Sequence, residues 1–133
     1  MREDLDKLLT EKYPKMTVNR YGSEMDTCMC YGFAVGDGWF NLLDQLIGNI
    51  QHYIDWKNRE AVVVPQVTLD QVKSKFGGLR FYYTGGDDYI SGMVSLAESL
   101  SEVTCEDCGA PGKRAGNGWI YTACEEHAPK EAV

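Results

Sequence analysis

Hydrophobic positions recur at helical spacing in two long stretches of the chain. Phe40, Leu43, Leu46, Ile47, Ile50 and Ile54 fall on one side of a helix running to about Lys57. Ile90, Met93, Val94, Ala97, Leu100 and Val103 give a second, with Asp87 and Asp88 placed where acids favour a helix N-terminus. A shorter periodic run, with Leu5, Leu8 and Leu9, spans residues 2–13 and ends at Pro14. Thr27–Val35 is rich in Cys, Tyr, Phe and Val and predicts a strand. Gly36-Asp37-Gly38-Trp39 reads as a turn with Asp37 as N-cap of the long helix. Ala61–Val67 is a β-branched run whose Pro65 points to an edge position or a strand end. Thr68 is placed as the cap of a short helix with Leu69, Val72 and Phe76 inward, closed by Gly77-Gly78. Leu79–Thr84 is a further strand, broken by Gly85-Gly86. The order predicts an α+β fold: a small sheet packed with two or three helices over residues 1–103, and a Cys/Gly-rich module over 104–133 packed on that body.

That module carries the clearest chemistry. Cys105-x2-Cys108 is separated by fifteen residues from Cys124-x2-His127. Two such corners supply four soft or borderline ligands at the spacing a tetrahedral zinc ion needs. Gly109 suits the tight turn after the second cysteine, because it tolerates positive φ. Gly116-Asn117-Gly118 is a hairpin-turn signal, and Trp119–Thr122 reads as the returning strand. Cys124 and His127, three apart, face the same way on one helical turn. The arrangement predicts a zinc-ribbon or treble-clef-like module with one structural Zn²⁺, since four protein ligands leave no open position for water. Three thiolates and a neutral imidazole leave the filled site at about −1.

Charge narrows the range of partners. The 133 residues carry a net charge of −7, and the segments 1–60, 61–103 and 104–133 are each acidic. Such a surface disfavours non-specific binding to nucleic acid or to anionic membranes, yet suits a basic partner. The N-terminal segment lacks an apolar run of signal type, and no stretch approaches the roughly 18 apolar residues of a membrane span. The expected location is therefore the cytoplasm, where thiols stay reduced and five cysteines point to metal or spare thiols.

Other constellations compete with simpler readings. Lys73, Lys75 and Arg80 are interleaved with Phe76, Phe81, Tyr82 and Tyr83, a mixture that single-stranded nucleic-acid surfaces use. Core packing explains half of those aromatics. Lys113 and Arg114 form the basic pair of the module's hairpin. Lys73, Lys75, Arg80, Tyr82, Lys113 and Arg114 together make the candidate interaction surface. Cys28 and Cys30, with His52 as base, are a conceivable ligand or nucleophile set, against two thiols on a half-buried strand and an ordinary boundary histidine. Gly36-Asp37-Gly38-Trp39 lacks the spacing of a phosphate-binding loop, and Asp37 would repel phosphate.

Three segments together resemble a family of small proteins encoded by tailed bacteriophages and prophages. They are Gly36–Trp39, Gln71–Tyr82, and Cys105–Gly112 with Gly118-Trp119, Cys124 and His127. The resemblance covers about residues 30–128 and implies a protein working in the cytoplasm of a bacterial host. It implies no activity and assigns no catalytic residue. The expectation is a non-enzymatic interaction protein that binds, and through binding inhibits, a host or defence protein. Two alternatives stand beside it: a nucleic-acid-associated factor using residues 71–83, and a small-ligand binder or enzyme around Cys28, Cys30 and His52.

Overall fold

The computed structural model describes residues 1–128; residues 129–133, at the end of the expected module, lie outside them. The long central helix forms where the hydrophobic period places it. α2 (Phe40–Lys57) buries Leu43, Leu46, Ile47, Ile50 and Ile54 along one face. Against it lies α3 (Asp88–Ser101), which buries Ile90, Val94, Ala97 and Ser101. Asp87 caps α3 by accepting the Ile90 N–H at 3.1 Å. The N-terminal α1 (Glu3–Lys12) turns Leu9 and Asp6 inward, leaving Leu8 exposed.

A three-stranded mixed sheet supports these helices. β1 (Phe33–Ala34) runs parallel to β2 (Thr68–Lys75), which pairs antiparallel with β3 (Gly78–Thr84) in the order β1-β2-β3. Val72, Leu79 and Phe81 pack inward from the sheet to join the helices' apolar faces in one core that also contains Trp39. The described residues thus form an α+β protein of three helices and a small sheet, with a Cys/His cluster near the C-terminus that can form a zinc module.

Several local expectations are corrected. Thr68–Lys75 is a strand, not a capped helix. The register shifts between Leu69 and Gln71. The extra residue of this bulge lets Leu69 and Val72, three apart, both face the core, so a strand imitates a helical period. Phe76 and Gly77, at φ 54° and 79°, form the two-residue turn into β3. Ala61–Val67 has no ladder partner. Its backbone is held by Asn58, whose amide oxygen accepts Val63 and Val64 N–H, each at 2.9 Å, and whose Nδ2 donates to the Val64 carbonyl at 2.8 Å. Within Thr27–Val35 only Phe33–Ala34 is strand, and Cys28–Tyr31 is a 3₁₀ turn capped by the Thr27 hydroxyl. Asp37 caps nothing: it lies inside a 3₁₀ turn (Asp37–Trp39), and its carboxylate accepts the Arg2 N–H at 2.7 Å.

One pair had no signal in the hydrophobic pattern. Asp6 accepts Arg20 Nε and the Phe33 N–H, both at 2.8 Å, and Arg20 also donates to the Cys30 carbonyl. This ion pair ties α1 to β1 and to the cysteine-bearing turn.

Candidate metal centre

The C-terminal segment builds its site from two tight corners on a two-stranded hairpin, β4 (Lys113–Ala115) and β5 (Tyr121–Ala123). In the first corner Gly109, at φ 82°, lets its N–H reach the Cys105 carbonyl at 2.9 Å. In the second, the His127 and Ala128 N–H groups both bond the Cys124 carbonyl, a single helical turn. β5 begins two residues later than the returning strand predicted at Trp119, and Trp119 itself is exposed.

Cys105, Cys108, Cys124 and His127 are brought together, with all four donor atoms within 4.8 Å of one another. Cys105 Sγ lies 3.7 Å from His127 Nδ1, Cys108 Sγ lies 3.7 Å from Cys124 Sγ, and Cys124 Sγ lies 3.1 Å from Nδ1. A tetrahedral ion bound about 2.3 Å from sulfur and about 2.0 Å from nitrogen has ligand–ligand edges of about 3.5–3.8 Å. The donors fit such an ion, and Nδ1 is the imidazole nitrogen that faces it. Among the described residues this is the only group of three or more His, Cys, Asp or Glu side chains so arranged.

The electrostatics prepare the site for a cation. Burial pushes the Cys105 thiol up, but N–H groups of Cys124, Cys108 and Asp107 directed at the sulfur outweigh it and hold the group at about 6. His127 is raised by its hydrogen bond to Cys124, against burial and with help from Cys105. At Cys108 the Ala110 N–H favours the thiolate, yet burial and the two neighbouring cysteines carry the net shift upward. A bound cation displaces the protons on these groups.

The corner is interlocked with the body through the Gly36–Trp39 turn. A Cβ on Gly36 would lie 2.2 Å from the Glu106 carbonyl oxygen, and one on Gly38 would lie 2.2 Å from that of Cys105. Only glycine permits that approach. Gly38 N–H donates to the Glu106 carbonyl at 2.7 Å, and the buried Trp39 donates its indole N–H to the Thr104 carbonyl at 2.8 Å. The Glu106 carboxylate accepts the Gly36 N–H at 2.9 Å and the Ser74 hydroxyl at 2.7 Å. From the other side, Thr122 Oγ1 donates to the Gly77 carbonyl and Arg114 to the Phe76 carbonyl. The module grips the β2–β3 turn between β5 and β4. Glu106, Ser74, Thr122 and the two glycines were missed by sequence reasoning. The available signal was a buried Trp beside paired glycines: an indole N–H needs an acceptor, and glycines mark close approach.

The candidate interaction residues fall on more than one surface. Lys73 stands opposite Arg80, and Gln71 opposite Tyr82, on the outer face of the β2–β3 pair. Arg114 reaches the turn beside Lys75 and Phe76, whereas Lys113, the preceding residue on β4, lines a separate cavity with Ala115, Cys124 and Glu125. Among the described cations, Arg2, Lys7, Lys12, Lys15 and Arg20 are in ion pairs, whereas these five basic side chains are in none. Of these five, Lys75 alone lines a cleft of about 720 Å³, with Phe76, Glu106 and Trp119 in its other walls; Phe76 is 56% and Trp119 82% exposed. Cys28 and Cys30 are not joined to His52. The thiols sit on the 3₁₀ turn beside β2, while His52 lines a shallow cavity with Tyr53, Trp56 and Tyr89 that contains no cysteine.

No helix of the described residues is long and apolar enough to cross a membrane. No protein family, curated protein or solved structure matches the chain. The fold and the site define its class: an α+β protein with a closed Cys₃His cluster suited to a metal ion.

Proposed function

We propose that the chain is a non-catalytic interaction protein whose Cys105, Cys108, Cys124 and His127 hold one structural Zn²⁺. Three thiolates and an imidazole select zinc over hard oxygen-seeking cations. With all four positions taken by protein, the ion supplies fold stability rather than a site for water. The observation that carries the reading is the grip of the module on the β2–β3 turn through Thr122, Arg114 and Glu106. The metal would thereby shape the surface on which Lys75, Phe76 and Trp119 are presented, with Lys73 and Arg80 on the adjoining outer face of β2 and β3. Unpaired cations and exposed aromatics beside a cleft walled by Glu106 and Asp107 suit a protein partner with acidic and apolar side chains. Those two carboxylates oppose a phosphate chain. The resemblance to phage-encoded proteins makes a host or defence protein in the bacterial cytoplasm the proposed partner, with inhibition as the outcome.

The test pairs capture with a surface variant. A partner recovered from host lysate at near-equal stoichiometry should be lost with Lys75→Glu/Lys113→Glu, while the variant keeps one zinc per chain by elemental analysis. Undiminished capture by the variant, or no stoichiometric partner, counts against the proposal. A second reading, single-stranded nucleic-acid binding, is favoured by the unpaired cations alongside Phe76, Tyr82 and Trp119. Gel-shift binding that weakens steeply with salt and is abolished by Lys73→Glu/Arg80→Glu would put it in place of the first.

A further inference from the structure

The four ligands of the cluster are not equally sheltered. Cys105 is fully buried, and its sulfur accepts the N–H groups of Cys124, Cys108 and Asp107. Cys108 is exposed and Cys124 half-buried. Cys108 lines a groove of about 600 Å³ with Asp37, Gly38 and Gly109, and Cys124 lines a separate cavity of about 530 Å³ with Pro111 and Glu125. Cys105 lines neither. The two accessible sulfurs, one from each corner, stand 3.7 Å apart, in van der Waals contact. An enclosed structural thiolate is inert toward oxidants, whereas an accessible one with a second sulfur alongside oxidises reversibly. The corners are also held unequally. The first is fastened to the body by the Gly38–Glu106, Gly36–Glu106 and Trp39–Thr104 hydrogen bonds. Among the described residues, no hydrogen bond joins the second corner, Cys124–Ala128, to the body; it hangs from the end of β5, two residues beyond Thr122.

We propose that Cys108 and Cys124 form a peroxide-sensitive pair whose oxidation to a disulfide expels the ion and loosens the module's hold on the β2–β3 turn. The inference rests on the zinc reading above and adds a regulation to it. The exposed Cys108 thiolate attacks the peroxide O–O bond, becoming a sulfenic acid as hydroxide leaves. The Cys124 thiolate, already in contact, displaces a second hydroxide from that sulfur and closes the S–S bond. The two thiolates lose two electrons, the peroxide gains them, and two protons from solvent turn the hydroxides into water. Zinc is left with Cys105 and His127, half the donor set a closed site needs, and departs; Cys105 takes up a proton. A dithiol reductant reverses the step by giving up its own two hydrogens. The unequal anchoring decides which corner moves. Cys108 N and the Cys105 carbonyl are wedged against Gly38, so the second corner travels and draws the end of β5 with it. Thr122 on that strand donates to the Gly77 carbonyl, which carries the movement to the turn that presents Phe76.

The test treats the full chain, its zinc content measured beforehand by elemental analysis, with a small molar excess of hydrogen peroxide. A chromogenic chelator should report one zinc released per disulfide formed. Peptide mapping after alkylation should find Cys108 joined to Cys124 and Cys105 alkylated, both in the parent and in Cys28→Ser/Cys30→Ser, which removes the cysteines of the separate 3₁₀ turn. Amide exchange at Phe76–Gly78 should quicken about tenfold, and dithiothreitol with added zinc should restore the starting rate. Zinc retained while only Cys28 and Cys30 oxidise overturns the proposal and leaves the zinc reading intact. A disulfide made with Cys105, or Cys108 driven to sulfinic acid with no disulfide, also overturns it, as does zinc release with unchanged exchange at the turn. A chain that holds no zinc before treatment overturns both.

Discussion

Replacing Gly38 by alanine adds one methyl group to the most crowded contact between body and metal centre. The new carbon would stand 2.2 Å from the Cys105 carbonyl oxygen, 2.6 Å from Gly109 N and 2.7 Å from Cys108 N. All three neighbours are backbone, so no rotamer change relieves the overlap; the corner must move about 1 Å away. Overpacking of that kind costs about 1–3 kcal/mol. The retreat also loosens the Gly38–Glu106 and Trp39–Thr104 hydrogen bonds, at about 1 kcal/mol each. The sum, about 3–5 kcal/mol, corresponds to a fall in Tm of about 10–20 °C for a chain of this length. Thermal melts of zinc-loaded protein followed by circular dichroism measure it, and a chromogenic chelator reports faster metal release in parallel. Gly92→Ala is the matched control, since its Cβ meets open space. It should raise stability by about 0.5–1 kcal/mol through helix propensity alone. If Gly38→Ala melted within about 2 °C of the parent and released metal at the same rate, the docking argument would fail.

Three other expectations are direct. Cys124→Ser should lose the metal by elemental analysis, and amide exchange should quicken at Phe76–Gly78 as well as over 104–128, because Thr122 and Arg114 hold that turn; exchange confined to the module would refute the grip. Asp6→Ala strands Arg20 and the Phe33 N–H and should cost about 3 kcal/mol in urea denaturation. Tyr53 donates to Asp87 at 2.6 Å; that bond lowers Asp87 and pushes Tyr53 up to about 12. Asp87's contribution is present above the ordinary carboxylate value near 4 and is lost as pH falls through its lowered one. Tyr53's is present below about 10 and is lost as pH rises through about 12. Tyr53→Phe should therefore differ from the parent at neutral pH and converge with it at both extremes in pH-dependent melts.

What the sequence disclosed depended on whether a residue's role was local. The ligand set was legible because each corner is closed within four residues, and α2 because five buried positions repeat at one period. The β2 strand was not, since its bulge puts Leu69 and Val72 on one face and mimics a helix. Ala61–Val67 has strand-like side chains but no neighbour to pair with, and pairing is a property of the whole fold. The docking of Gly36 and Gly38 was invisible for a similar reason: a glycine states that something comes close, never what. Strand alternation placed Arg80 and Tyr82 on one face, and the β2–β3 register, which only pairing reveals, sets Lys73 opposite Arg80 there.

The contact between Gly36 and Glu106 also orders events in time. These residues are 70 apart in the chain, while the metal closes a loop from Cys105 to His127, 22 apart. Loop-closure entropy makes the longer contact costlier by about 1 kcal/mol, and it relies on α2 and β2 being in place. The shorter loop needs only the ion. A cation that fits the cluster can therefore close the corner before the corner docks on Gly36 and Gly38.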